Sequence, residues 1–188
     1  MLGVNPNTIR QEEDFYATNP KSLEIFLEKL KLDGVILSSN IWECACGQGH
    51  LAEVLKTAGY NVRCSDLVYR EYADTESFNF MEHELDTIWN GDILTNPPFK
   101  FAEEFVVKAL NRLEPNKKLL LFLKIQFLEG QKRKLLFEKY PPKYVYCYSS
   151  RQQCAKDAEF EKYTATTQFY SWFVWEKGYT GETIIRWI

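Results

Sequence analysis

The run Asp92 to Phe99, DILTNPPF, carries an apolar strand pattern into an asparagine, two prolines and an aromatic ring. The Asn96 amide oxygen and the Pro97 carbonyl are neutral acceptors, and proline brings no N–H to compete. Pro97 and Pro98 stiffen the backbone that aims them. Two fixed acceptors can grip both hydrogens of a planar amine and turn its lone pair toward an electrophile. Phe99 offers a flat apolar face on which a planar ring can stack. None of the four is a general base or a nucleophile, so chemistry here would rest on orientation and placed charge. A structural reading competes: Asn96 as a cap for the helical pattern FAEEFVVKAL, the prolines as a turn, and Phe99 as core.

A second group lies upstream. ECACGQGHL puts Glu43 at the end of an apolar strand and Gly47 and Gly49 in the turn that opens a helix near His50. Glycine lets a ligand approach the backbone, and the first helical N–H groups face the same crevice. CSDLV ends the next strand, where the Asp66 carboxylate can accept both hydroxyls of a ribose and Leu67 can lie against a base. The glycines do not spell the dinucleotide fingerprint, because Ala45 stands where its first glycine belongs. Glu43 would repel a pyrophosphate and instead suits a cofactor with a positively charged amino group.

Elements must hold these groups together. NPKSLEIFLEKLKL predicts an amphipathic helix capped at Asn19, and HLAEVLKTAGY a helix stopped at Gly59. Strands are expected at NIWECACGQG, NVRCSD, DILTNP, KKLLLFLKIQF and KYVYCYS, with a weaker one around Phe78 to Phe80. FAEEFVVKALNRL and EGQKRKLLFEKY supply further helices. Strands alternating with helices indicate crossover units, hence an α/β fold with a mostly parallel sheet covered on both faces. The run QFYSWFVWEKGYTGETIIRWI breaks the rhythm with two β-rich stretches, expected as an antiparallel hairpin at one margin. Residues 1–18 read as a lead-in, and 149–168 as an unassigned segment.

With 188 residues the chain reads as one domain, 1–188, able to bury roughly 70% of its unfolded surface. No apolar run reaches membrane-spanning length and no secretory leader is evident, so a cytoplasmic location is expected. Five irregularly spaced cysteines fit small buried residues in a reducing compartment, and no metal site is expected. A net charge of -3 argues against non-specific coating of nucleic acid. Lys132, Arg133 and Lys134 form a local basic cluster, or simply a solvated helix face.

Together these residues resemble the amino-methylating S-adenosylmethionine-dependent methyltransferases, which include the adenine-N6 and cytosine-N4 DNA enzymes. The likeness is strongest to small phage- and prophage-type adenine enzymes, some of which belong to restriction-modification systems. It runs from DFYATNP through ECACGQGHLAEVL and TNPPF to FYSWFVWEKG. It implies that Asn96, Pro97, Pro98 and Phe99 are the catalytic tetrapeptide. It also implies that Gly47 and Gly49 form the cofactor turn beside Glu43, with Cys44 lining it. Asp66 becomes the ribose acid, with Leu67 beside the base. Tyr16, Ala17 and Thr18, with Pro20, correspond to the cofactor-contacting amino-terminal motif. The implied fold is a Rossmann-like seven-stranded sheet in the order 3-2-1-4-5-7-6, strand 7 antiparallel. The implied cofactor is S-adenosylmethionine and the implied partner a nucleic acid, DNA above all.

Two departures stand out. Asn79 and Phe80 occupy the place where the family often has an aspartate-aromatic pair near the cofactor adenine. No separate target-recognition domain is evident, leaving recognition to the 149–168 segment or to a specificity partner. Cytosine N4, RNA adenine and protein glutamine remain alternative amines, and a non-catalytic partner subunit is an alternative of another class.

Overall fold

The structure is a computed structural model that describes residues 17–82, 88–150, 152, 154, 155 and 168–188; Tyr16 lies outside them, as does most of 149–168. In chain order the elements are β1 (Ala17–Thr18), α1 (Pro20–Leu32), β2 (Asn40–Glu43), α2 (His50–Thr57), β3 (Asn61–Asp66), β4 (Thr75–Ser77) and β5 (Asp92–Thr95). There follow α3 (Ala102–Arg112), β6 (Lys118–Lys124), α4 (Gln131–Lys139), β7 (Tyr144–Cys147), β8 (Cys154–Ala155), β9 (Tyr170–Glu176) and β10 (Ile184–Trp187).

The central strands are apolar at nearly every position because both of their faces are covered. Successive side chains alternate between faces. Leu119, Leu121 and Leu123 of β6 pack with Phe105, Val106 and Ala109 of α3. Leu120 and Phe122, on the opposite face, join Leu23, Phe26 and Leu30 of α1 and Leu51 and Leu55 of α2. The caps follow the sequence: Asn19 Oδ1 accepts from the Lys21 N–H at 3.0 Å with Pro20 in the first turn. Gly59, at φ +92°, lies just beyond α2.

The main sheet runs β4-β3-β2-β5-β6-β9-β7-β10. Its first seven positions reproduce the order 3-2-1-4-5-7-6, with β9 antiparallel to both neighbours. The expected terminal hairpin does not form. β9 inserts between β6 and β7, and β10 passes on to pair in parallel with the outer edge of β7. Burial accompanies the separation: β9, buried from Tyr170 to Trp175, lies inside the sheet where layers cover both faces, whereas Ile184, Ile185 and Trp187 of β10 stay exposed at the margin.

Two smaller expectations also change. The strand beside β3 is Thr75–Ser77, just before Phe78 to Phe80, and Phe80 turns into the core. Ala17 and Thr18 of the lead-in form a two-residue antiparallel ladder with Cys154 and Ala155 of the 149–168 segment. Among the described residues no helix is long and apolar enough to cross a membrane.

Two glycines with positive φ separate strain from crowding. Gly49 (φ +79°) precedes α2, and a Cβ there would lie 2.5 Å from the Tyr72 ring, whereas Gly59 has open space around it. Gly59→Ala should cost about 1–2 kcal/mol of backbone strain. Gly49→Ala should cost more, and a urea midpoint no lower than that of Gly59→Ala would contradict the crowding.

Candidate active site

The chain leaves β2 toward β3 on one side, and the sheet continues to β5 on the other, so the strand order reverses between β2 and β5. A crevice opens at the carboxyl ends of strands at such a switch point. The cleft found there is lined by Glu43, Gly47, Asp66, Asn96, Pro97, Pro98 and Phe99, with Ala17 and Thr18 completing its wall. Residues scattered over the first hundred positions thus share one cavity.

On one side of the cleft lie two carboxylates. Glu43, the last residue of β2, is only 2% exposed, and its Oε2 has no hydrogen-bond partner among the described residues. Loss of hydration, reinforced by the nearby Asp66 carboxylate, holds its pKa well above the usual carboxylate range. Such a buried acceptor matches an ammonium group, which would supply both charge and donors. Asp66 Oδ2 accepts from the Gly47 N–H at 2.7 Å and Oδ1 from the Val68 N–H at 3.0 Å. Each oxygen retains a second acceptor direction for a ligand hydroxyl. The acid therefore both fixes the glycine turn and faces the cavity.

On the other side, Asn96 follows β5 directly. It caps neither the short 3-10 turn Phe99–Phe101 nor α3, whose capping positions are Pro98 and Phe101 without side-chain bonds. Its Nδ2 instead donates to Thr18 Oγ1 at 2.8 Å across the cleft wall. The structural reading of Asn96 as a helix cap is thereby removed. Phe99 is half-buried, its ring 5.8 Å from that of Tyr170, which stacks in turn on Phe122 at 5.2 Å. Lys124 Nζ lies 4.8 Å from the Phe99 ring centre.

Five expected site residues do not line the cleft. Cys44 points into the core with Trp42, where burial raises its thiol pKa. Gly49 serves the start of α2. Leu67 is 64% exposed. The Asn79 side chain folds back to accept from the Met81 N–H at 3.0 Å, and Phe80 stacks on Phe105 at 5.0 Å. A large ring gains more from that packing than from the cavity wall. The basic cluster is a helix face: Arg133 pairs with Glu103 at 3.3 Å and Lys134 with Glu138 at 3.6 Å.

Sequence reasoning missed Gln48, His50 and Arg70, which also line the cleft. They sit in the turn before α2, at its first residue and after β3, where no spacing rule marks a side chain as functional. Burial lowers the His50 pKa, favouring the neutral imidazole at neutral pH.

No protein-family model and no curated protein sequence matches the chain. Solved structures do resemble it. A candidate class I S-adenosylmethionine-dependent methyltransferase from Listeria monocytogenes superposes with a TM-score of 0.63 at 12% identity, over 91% of this chain and 65% of that one. This chain thus spans about two thirds of the Listeria protein. A candidate RNA methyltransferase from Pyrococcus horikoshii gives 0.62 at 13% identity, over 88% and 87%. The magnesium protoporphyrin IX methyltransferase of Synechocystis PCC 6803, solved with bound S-adenosylmethionine, gives 0.56 at 12% identity, over 85% and 79%. Likeness at such identities concerns architecture: the chain has the Rossmann-like fold of the class I methyltransferases.

Proposed function

We propose that this chain binds S-adenosylmethionine and methylates an exocyclic amine on a planar base, adenine N6 in DNA being the favoured target. The observation that carries the proposal is the meeting of Glu43, Asp66 and Asn96 in one cleft, with Asn96 released from helix capping. Glu43 suits the cofactor's ammonium, Asp66 its ribose hydroxyls, and Gly47 a close backbone approach. When bound, the cofactor supplies an electrophilic methyl group. Asn96 Oδ1 and the Pro97 carbonyl accept the two amine hydrogens, while Phe99 stacks on the ring. The nitrogen would gain the methyl group as the methyl–sulfur bond breaks, leaving a neutral thioether, and would pass one of its protons to water, so no side-chain nucleophile is required.

Two cations favour a base that carries phosphate over a glutamine side chain. Lys124 and Lys100 make no ion pair among the described residues. Each lies over an aromatic ring, Lys124 over Phe99 and Lys100 over Phe101 at 5.1 Å. A polyanionic strand would find the Lys124 charge beside the ring that receives the base, and the Lys100 charge over Phe101 close to it in the chain.

The test supplies methyl-labelled S-adenosylmethionine with matched single- and double-stranded DNA, RNA and protein extract, and locates the label by mass spectrometry. Label on adenine N6 of DNA is expected, most on unpaired bases because extrusion is cheapest there. Label confined to cytosine N4, RNA or glutamine would replace the substrate but keep the amine chemistry. Label on carbon would remove that chemistry too.

A further inference from the structure

Thr18 lies in β1, outside every strand of the main sheet, yet it is only 3% exposed. Two constraints hold it. Its backbone pairs with Cys154 in β8, and the next residue, Asn19, caps α1. The hydroxyl is thus fixed from both directions, 2.8 Å from Asn96 Nδ2.

A carboxamide has two orientations of nearly equal shape, related by a half turn of its last torsion. One presents its oxygen to a neighbouring amine and the other presents hydrogens, which an amine donor repels. The Thr18 hydroxyl oxygen, shielded from water, receives one Asn96 amide hydrogen.

We propose that Thr18 is a positioning residue for Asn96. Its hydroxyl holds Nδ2 and so keeps Oδ1 aimed at the amine subsite. The inference rests on the amine-gripping role given to Asn96 above, and it assigns Thr18 a task separate from contact with the cofactor.

Thr18→Val preserves shape and removes the hydroxyl, while Thr18→Ser keeps it. Thr18→Val is expected to lower kcat about tenfold, as loss of part of one preorganised polar contact should. Cofactor Kd should stay within about twofold, and Thr18→Ser should restore most of the rate. In the Asn96→Ala background, Thr18→Val should cost nothing further, since the two residues act as a unit. A second readout needs no turnover. The Asn96 carboxamide pair in a nitrogen-proton NMR spectrum, identified by its loss in Asn96→Ala, should shift and exchange faster with water in Thr18→Val but not in Thr18→Ser.

An unchanged carboxamide signal in Thr18→Val overturns the inference, as does an unchanged kcat in an otherwise active protein. A rate loss that persists undiminished in the Asn96→Ala background, or that follows a weakened cofactor Kd, also overturns it by making Thr18 a general support or a cofactor contact. A wild-type protein that binds the cofactor and methylates no amine overturns the proposed function instead, and the catalytic role of Thr18 falls with it.

Discussion

Asn96→Ala should lower the rate of methyl transfer about 100-fold or more while leaving S-adenosylmethionine affinity nearly unchanged. Truncation removes one of two acceptors that orient the amine, and the Pro97 carbonyl alone cannot fix both hydrogens. Folding should survive, because Asn96 caps neither the 3-10 turn nor α3, and the bond from its Nδ2 to Thr18 Oγ1 lies at the cleft wall rather than in the core. Loss of that bond should cost about 1 kcal/mol. Single-turnover rates, calorimetric titration with the cofactor and a thermal melt together separate the outcomes. Collapse of the fold in Asn96→Ala would return the residue to a structural role. Phe99 offers a companion comparison: Phe99→Ala should chiefly raise KM for the base, and Phe99→Tyr should retain most activity, since both rings can stack on a planar substrate.

Cofactor binding should strengthen as pH rises from the ordinary carboxylate range toward neutrality, with release of a proton. The sign follows from Glu43. Burial and the neighbouring Asp66 hold its folded-state pKa well above the ordinary value, so the empty site keeps it protonated where an ordinary glutamate is already ionised. An ammonium ligand favours the carboxylate, so the site must give up a proton when the ligand arrives. The ligand's amine remains charged over this range, its ordinary pKa being about 7.7–8.0. Calorimetry in two buffers of different ionisation enthalpy should therefore return two different apparent heats. Glu43→Gln should abolish that difference, flatten the pH slope and weaken binding about tenfold to hundredfold, the scale of a hydrogen bond to a charged group. His50 also lines the cleft, and burial lowers its pKa, so it too changes charge as pH rises; the variant is the control that isolates Glu43. Equal heats in both buffers for the unmodified protein would remove the ammonium contact.

The ends of the central strands were the readable part of this site. Glu43 and Asn96 each close an apolar run and Asp66 ends the mixed strand β3, and parallel strands necessarily bring those ends to one edge of the sheet. The facing of a side chain just past a strand is a different matter. Asn79 and Phe80 follow β4 as a cofactor-binding pair would, but Phe80 gains more from Trp42 and Phe105 than from the cavity. Cys44 turned inward for the same reason. The bond between Thr18 and Asn96 joins residues that no local pattern links, so it emerges only in three dimensions. The place of β9 was likewise hidden: its two apolar faces signalled burial, but the chain does not announce that β7, formed earlier, will lie between it and β10.

That insertion has a cost during synthesis. β6 and β7 leave the ribosome before β9, and neither pairs with the other, so their facing edges stay open until Tyr170–Glu176 arrives. Until then the nascent chain displays two apolar strands with unpaired backbone groups, the kind of surface that recruits chaperones or aggregates. Closure brings one late strand against both neighbours, over seven register pairs with β6 and four with β7. Translation speed through the segment between β7 and β9 thus sets how long the half-built sheet remains exposed.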